Sequence, residues 1–367
     1  MRSSARIWRH FDVWLLAAVA VLSIAGIAMI RSAIGGNENL AELVPRQAIY
    51  AGIGLLAVLV AAAIDYRLWA ALARPIYLLI LIALAIVLIA GFVGFGAARW
   101  FSVGIVLIQP SELARIFMIV ILASYLARHL DELNRPRILL GSSLVILLPA
   151  VLVFFQPDLS TAVDLGVVWL SLIWAAGLRP SRLAAMLGVG SVLPVAIWPL
   201  LAEYQRSRLL TFLLPEAAAQ YGETYNVNQA LIAIGSGGLV GQGYGQGTQV
   251  QLRFLKVRHT DFIFSSLAHE FGWVGSILVL LLIMFVVYRC LRAARMARDP
   301  FGALICYGVA IMILFQSSFN VAMNLKLLPV SGLPLPFLSY GGSSLVANLF
   351  AIGLVESVIL RHKRLDL

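Results

Sequence analysis

Six carboxylates of this chain sit inside or beside long apolar stretches: Glu112, Asp158, Asp164, Asp261, Glu270 and Glu356. A carboxylate in hydrocarbon surroundings is costly, so each is a functional candidate by default. The chemistry open to such a group is removal of a proton from a weak acid such as a hydroxyl. Arg115 follows Glu112 by three residues and shares its helix face. Four further cations, Arg99, Arg206, Arg208 and Lys326, lie between the apolar stretches. Guanidinium groups suit phosphate oxygens, and cations in general stabilise an anionic leaving group. Plainer roles compete at every position. Glu112 and Arg115 also read as a structural ion pair within a span. Asp158, after Gln156 and Pro157, reads as a helix cap. Asp164 reads as a hydrogen-bonding group facing the bundle. Asp261 precedes the apolar Phe262-Ile263-Phe264, and its spacing alone favours an N-cap over a base. The outward cations equally suit headgroup anchoring.

The elements that must position these groups follow from composition. The 367 residues are 61% hydrophobic and 12% charged, with a mean hydropathy of +0.95, against about 25% charged in globular domains. A soluble domain and a disordered chain are both excluded. The net charge of +10 resembles a nucleic-acid footprint only until the charges are placed, because they fall between apolar runs. Those runs lie near 12–30, 46–64, 75–95, 111–127, 138–155, 160–177, 183–202, 262–288, 301–323 and 341–360. At roughly 20 residues per span, they predict an all-α polytopic membrane protein with ten transmembrane helices. The runs are continuous, not alternating, so strands are not expected.

Alternate loops carry unequal basic charge: seventeen Lys and Arg on one side and nine on the other, with Arg115 inside a span. The positive-inside rule places the seventeen in the cytoplasm, together with both termini. The first run is long enough to span and lacks a clear cleavage site after it, so it reads as an anchor and not as a removed signal. Cys290 and Cys306 flank a cytoplasmic loop and read as packing residues. The chain is treated as one membrane domain, 1–367, containing one large outward loop between spans seven and eight, 203–261. That loop keeps apolar residues and should fold into short helices at the outer leaflet. It then enters a segment, Gly235 to Gly247, with seven glycines in thirteen residues. Such a segment could cradle a pyrophosphate with its N–H groups, but a bent, packed membrane turn is favoured, and no nucleotide-binding pattern is present. There is no zinc-type spacing and no serine-nucleophile motif.

Five blocks then carry a resemblance. They are Ala98-Arg99-Trp100 leading to Gln109-Pro110-Ser111-Glu112-Leu113-Ala114-Arg115; Gln156-Pro157-Asp158-Leu159-Ser160-Thr161-Ala162; Tyr204-Gln205-Arg206-Ser207-Arg208 with Phe212 and Pro215; Ile232 to Leu239 through Gly247-Thr248-Gln249 to His259-Thr260-Asp261-Phe262-Ile263-Phe264; and Leu328-Pro329-Val330 through Pro334-Leu335-Pro336 to Ser339-Tyr340-Gly341-Gly342-Ser343. In this order they make the chain similar, along essentially its whole length, to the SEDS proteins, the RodA, FtsW and SpoVE group of peptidoglycan glycosyltransferases. The resemblance implies a ten-helix protein of the bacterial cytoplasmic membrane that polymerises lipid II at the outer face. In that reaction an acceptor 4-hydroxyl attacks the anomeric carbon of a second lipid II with inversion, and undecaprenyl pyrophosphate leaves.

The same resemblance makes Asp261 the general base. It matches Glu112 and Arg115 to the family's Glu/Lys pair on the fourth span, and these two join Arg99, Arg206, Arg208, Lys326, Ser339 and Tyr340 as the substrate-binding candidates. It implies a class B penicillin-binding protein transpeptidase and other elongation-complex membrane proteins as partners, with no nucleic acid. No cofactor is evident, and a divalent cation, compatible with the chemistry, is not readable from the sequence. Arg115 stands where lysine is usual in the family, Lys256-Val257-Arg258 replaces a stretch with proline and glutamate, and Gln242 replaces a common lysine. The blocks Tyr204 to Arg208 and Gly247 to Gln249 look more like RodA, the elongation member, than FtsW, the division member. A lipid-precursor flippase is the competing activity, since it too would need many spans and an anionic-substrate cavity; a scaffold for other cell-wall enzymes is the third reading.

Overall fold

The computed structural model describes residues 8–35, 37–90, 92–94, 97–103, 106–214, 222–252, 254–255 and 257–362. Its helices in chain order are α1 Val13–Ile34, α2 Leu43–Ala63, α3 Tyr66–Ala71, α4 Ala73–Ala90, α5 Pro110–Ala127, α6 Pro136–Phe155, α7 Leu159–Ala175, α8 Pro180–Ile197, α9 Glu203–Leu213, α10 Gly222–Gly237, α11 Thr248–Gln251, α12 Ile263–Met296, α13 Pro300–Asn324 and α14 Gly342–Leu360. Nine of the ten apolar runs fall on helices, and the run at 75–95 is helical as far as Ala90. Among the described residues, eight helices are long and apolar enough to cross a membrane, and α4 and α7 are shorter apolar helices. The protein is therefore a multi-pass membrane protein.

Three helices, α5, α13 and α14, form the centre, with α14 packed along α2 and α13 along α12. At the periphery α8 buries almost nothing, leaving Val189 and Val195 about three-quarters exposed, as a lipid-facing helix would. Polar contacts fasten the ends opposite Asp261. Asp12 caps α1 by accepting from the Leu15 N–H at 3.0 Å and pairs with Arg289, while Glu356 accepts the Asp12 N–H at 3.0 Å. Asp299 caps α13 through the Gly302 N–H at 2.8 Å and receives Tyr66 and Arg67. Cys290 and Cys306 are both buried and unbridged.

Two expectations need correction. The chain is not wholly helical: β1 Phe92–Gly94, β2 Ala97–Val103 and β3 Val106–Ile108 form a three-stranded antiparallel sheet. Its register pairs Phe92 with Trp100 and Phe101 with Ile108. This stretch is dense in aromatic and β-branched residues and is broken by Gly91, Gly94, Gly96 and Gly104, which favours short strands over a helix. The span expected over 75–95 accordingly stops at Ala90. The second correction is that the span expected over 262–288 extends to Met296 and is broken at Gly272, whose φ of +66° and ψ of −161° are non-helical.

Candidate active site

Asp261 lies one residue before Phe262, the N-cap of α12, and is half-buried. The capping role that spacing assigned to it belongs to another residue. Asn324, at the end of α13, accepts the Ser265 N–H at 3.2 Å and the Ser265 hydroxyl at 2.5 Å through the same Oδ1. Its Nδ2 donates to the Asp261 carbonyl at 3.0 Å. Asn320, one turn earlier, donates to the same carbonyl at 3.1 Å and to the Leu333 carbonyl at 2.8 Å. Two fully buried amides on α13 thus fix the backbone of Asp261 from behind.

The loop between α13 and α14 grips the residues just before Asp261. Ser339 Oγ donates to the Thr260 carbonyl at 2.8 Å and accepts the Leu335 N–H at 2.9 Å. The Tyr340 N–H donates to the His259 carbonyl at 2.9 Å, and the two rings meet edge-on at 6.0 Å. Burial, with Arg258 beside it, holds the His259 imidazole below its usual pKa. Gln47 of α2 closes the arrangement from the far side, donating to the Ser339 carbonyl at 3.2 Å and accepting the Gly341 N–H at 3.3 Å.

Glu112 and Arg115 are paired and buried, at 5% and 1% exposure. The pair is half of a larger network. Arg115 Nη1 also reaches Asp164 Oδ2 at 3.2 Å, and Gln316 Nε2 donates to that same oxygen at 3.2 Å. Asp164 is therefore the bundle-facing group expected of it. The network adjoins the outward loops through Gln109, whose N–H donates to Ser343 Oγ at 3.1 Å and whose Nε2 donates to Asp158 at 3.4 Å. Asp158 is a cap, as its position after Gln156 and Pro157 suggests, accepting the Thr161 N–H at 3.3 Å.

Beside these groups is a cavity of 180 Å³ between the start of α7, α9, the end of α13 and the loop at 329–333. Arg208 lines it. Arg206 turns away, and its guanidinium donates to the carbonyls of Trp198 at 3.2 Å and Pro199 at 2.7 Å, which closes the turn ahead of α9. Lys326 bridges to α10 through Asn228 Oδ1 at 3.0 Å. Arg99 falls on β2, and its side chain lies outside the described residues.

The glycine-rich turn is a packed one. Its N–H groups point at protein carbonyls: Gln242 to His269 at 3.1 Å and Gly243 to Glu270 at 3.0 Å. In return the Trp273 and Val274 N–H groups, freed by the break at Gly272, reach the Gly238 and Leu239 carbonyls at 2.9 and 3.0 Å. A Cβ at Gly241 would stand 2.1 Å from the Glu270 carbonyl oxygen, at a φ of +81°. The turn satisfies the broken helix and presents no anion cradle.

These are the features to set against known proteins. Residues 7–364 match the cell cycle protein family of FtsW, RodA and SpoVE. The chain belongs to the SEDS family. It is a glycosyltransferase. This SEDS chain is 36% identical over 370 residues to a probable peptidoglycan glycosyltransferase FtsW of Geobacter metallireducens, covering 96% of each. It is 35% identical over 360 residues to the peptidoglycan glycosyltransferase MrdB of Escherichia coli K12, covering 97% of this chain and 95% of the relative. A chain of a peptidoglycan synthase complex that coordinates polymerisation and crosslinking superposes with a TM-score of 0.82 at 30% identity, covering 96% and 98%. The rod shape determining protein RodA of Thermus thermophilus superposes with a TM-score of 0.70 at 30% identity, covering 96% of each.

Sequence reasoning that weighed only charged residues missed Gln47, Gln316, Asn320 and Asn324. The signal was present in this SEDS sequence. Gln316, Asn320 and Asn324 recur every four residues in an otherwise apolar span, a polar stripe on one helix face.

Proposed function

We propose that this SEDS protein polymerises lipid II into glycan strands at the outer face of the bacterial cytoplasmic membrane, with Asp261 as the general base. The observation that carries the assignment is the double role of Asn324. It bonds the first turn of α12 at Ser265 and holds the Asp261 carbonyl, so the start of that helix and the backbone that presents the Asp261 carboxylate are fixed by one side chain. The acceptor 4-hydroxyl is a very weak acid, so its proton passes to the Asp261 carboxylate as its oxygen attacks the anomeric carbon of the donor. The bond from that carbon to the pyrophosphate oxygen breaks, with inversion, and undecaprenyl pyrophosphate departs carrying the bonding pair. Arg208 and Lys326 are the outward cations best placed to receive that charge. Arg115, engaged by two carboxylates, supports the wall of the site. Among the described residues no three His, Cys, Asp or Glu side chains converge as a metal site.

The topology that supports this reading has ten spans and both termini in the cytoplasm, from the basic-residue asymmetry. The blocks Tyr204 to Arg208 and Gly247 to Gln249 favour an elongation role beside a class B penicillin-binding protein and other elongation-complex membrane proteins. The near-equal identities to FtsW and MrdB relatives keep division as the competing role. Complementation of cells depleted of one or the other polymerase separates them.

The base assignment is tested with Asp261→Asn. The substitution should leave lipid II binding and the melting temperature in detergent unchanged and lower glycan synthesis by about 10²–10⁴-fold. Synthesis above roughly a tenth of the wild-type rate at neutral to alkaline pH would move the base elsewhere, with Glu112 next.

A further inference from the structure

The cavity beside Asp261 contains a buried hydrogen-bond donor with nothing to donate to. Gln205 is the third residue of α9, and its Oε1 accepts the Ala202 N–H at 3.0 Å, closing the first turn of the helix. A carboxamide carries its acceptor and its donors on opposite atoms. Because the Ala202 N–H demands the oxygen, the cap also fixes where the nitrogen points. Gln205 is only 4% exposed, it lines the cavity, and its Nε2 has no acceptor among the described residues. A buried donor in this state is destabilising unless a ligand supplies the acceptor.

The remaining walls say what kind of ligand. Leu159, Leu209, Phe319 and Val330 are apolar. Among the polar groups, Asp158 is engaged by Thr161 and Gln109 and Ser160 by the Ser331 carbonyl, and Arg208 adds a guanidinium. The cavity therefore asks for a small group with one acceptor oxygen and an apolar end. A hydroxyl has no apolar end. A phosphate would find Arg208 on one wall, but it would set its charge against the Asp158 carboxylate and would offer no apolar end to Leu159, Leu209, Phe319 and Val330. An acetamido group meets both demands, with its carbonyl for the amide and its methyl for the hydrocarbon. The cavity is also coupled to the base, since Asn320 holds both the Leu333 carbonyl on its wall and the Asp261 carbonyl.

We propose that Gln205 is a specificity residue that reads an N-acetyl group of the sugar substrate, Nε2 donating to the acetyl oxygen while the methyl packs against Leu209, Phe319 and Val330. The proposal rests on the reading of the chain as a lipid II polymerase and adds which substituent of the sugar it inspects.

Gln205→Glu separates reading from capping. Glutamate still accepts the Ala202 N–H, as capping-box positions do, but presents an oxygen where the donor was. The full-length protein in detergent is compared on lipid II and on lipid II whose sugar acetamido groups have been converted to free amines, by polymerisation rate and by equilibrium binding. The wild type should favour the acetylated substrate by about tenfold or more in kcat/KM, expressed in KM, as expected for a hydrogen bond made on binding. Gln205→Glu should keep its melting temperature while that preference collapses or reverses. Gln205→Leu, which also loses the cap, should lose both. A wild-type preference retained in Gln205→Glu would reduce Gln205 to a cap and overturn the proposal. Absence of polymer from wild-type protein would instead overturn the polymerase reading, and the ratio of Kd values for the two lipids would still judge Gln205.

Discussion

The carboxylates at Arg115 and the carboxylate of Asp261 are held in contrasting ways. Around Arg115 the side chains hold one another: Glu112 and Asp164 both reach the guanidinium, Gln316 supports Asp164, and all four are buried. Around Asp261 the anchors from Asn320 and Asn324 fall on its backbone carbonyl, and those from Ser339 and Tyr340 on the carbonyls of Thr260 and His259. A group fixed through its own carboxylate is part of the scaffold, and removing it breaks the network it belongs to. The segment that carries Asp261 is fixed through backbone carbonyls, and those anchors do not depend on which side chain stands at 261. The contrast explains how one membrane bundle can contain costly charges of both kinds.

The comparison breaks most visibly at Glu112. Glu112→Gln leaves Arg115 paired with Asp164, so it should cost about 1.5–3 kcal/mol, the scale of a lost hydrogen bond to a charged group, and calorimetry or thermal unfolding in detergent should record the loss along with activity. An unchanged melting temperature with lost synthesis would shift Glu112 from scaffold to chemistry. Asn324→Leu sharpens the other side. It removes both the cap on Ser265 and the hold on Asp261, so stability should fall by about 1–2 kcal/mol, the scale of a helix cap. Synthesis should fall by more than that change in fold population allows. The smallest expected effect is at His259. Its folded-state pKa lies below the ordinary value of about 6.5, so the unfolded chain takes up the proton first as pH falls. Stability is then complete above about 6.5 and declines as pH drops from there toward the folded-state value. His259→Gln should flatten that slope in a melting series from pH 7.5 to 5.5.

Much of this was legible from the sequence because bilayer thickness imposes a length on every apolar run, and the runs map onto helices one for one. The Gln156-Pro157-Asp158 cap was legible because its chemistry is local. Ser339 and Tyr340 beside Asp261 came from the family resemblance, since residues about eighty positions apart leave no local trace of their contact. Arg206 misled because an outward arginine looks the same whether it faces substrate or, as here, two carbonyls of its own turn. The strands at 92–108 were hidden by a count of apolar residues that ignores how often glycine interrupts them. The break at Gly272 was hidden because a single glycine is tolerated in a long helix. Its partner segment lies some thirty residues upstream, and the two make sense only together.

That pairing between the turn at 238–243 and the break in α12 sets a rule about length. Four backbone hydrogen bonds run between the two segments in matched order: Gly238 to Trp273, Leu239 to Val274, His269 to Gln242 and Glu270 to Gly243. Each satisfies one backbone donor and one backbone acceptor that would otherwise be left unpaired. Adding or deleting one residue between Gly238 and Gly243 would throw the four out of step at once. The segment should therefore behave as a ruler within the protein, intolerant of a changed residue count even where it tolerates changed residues.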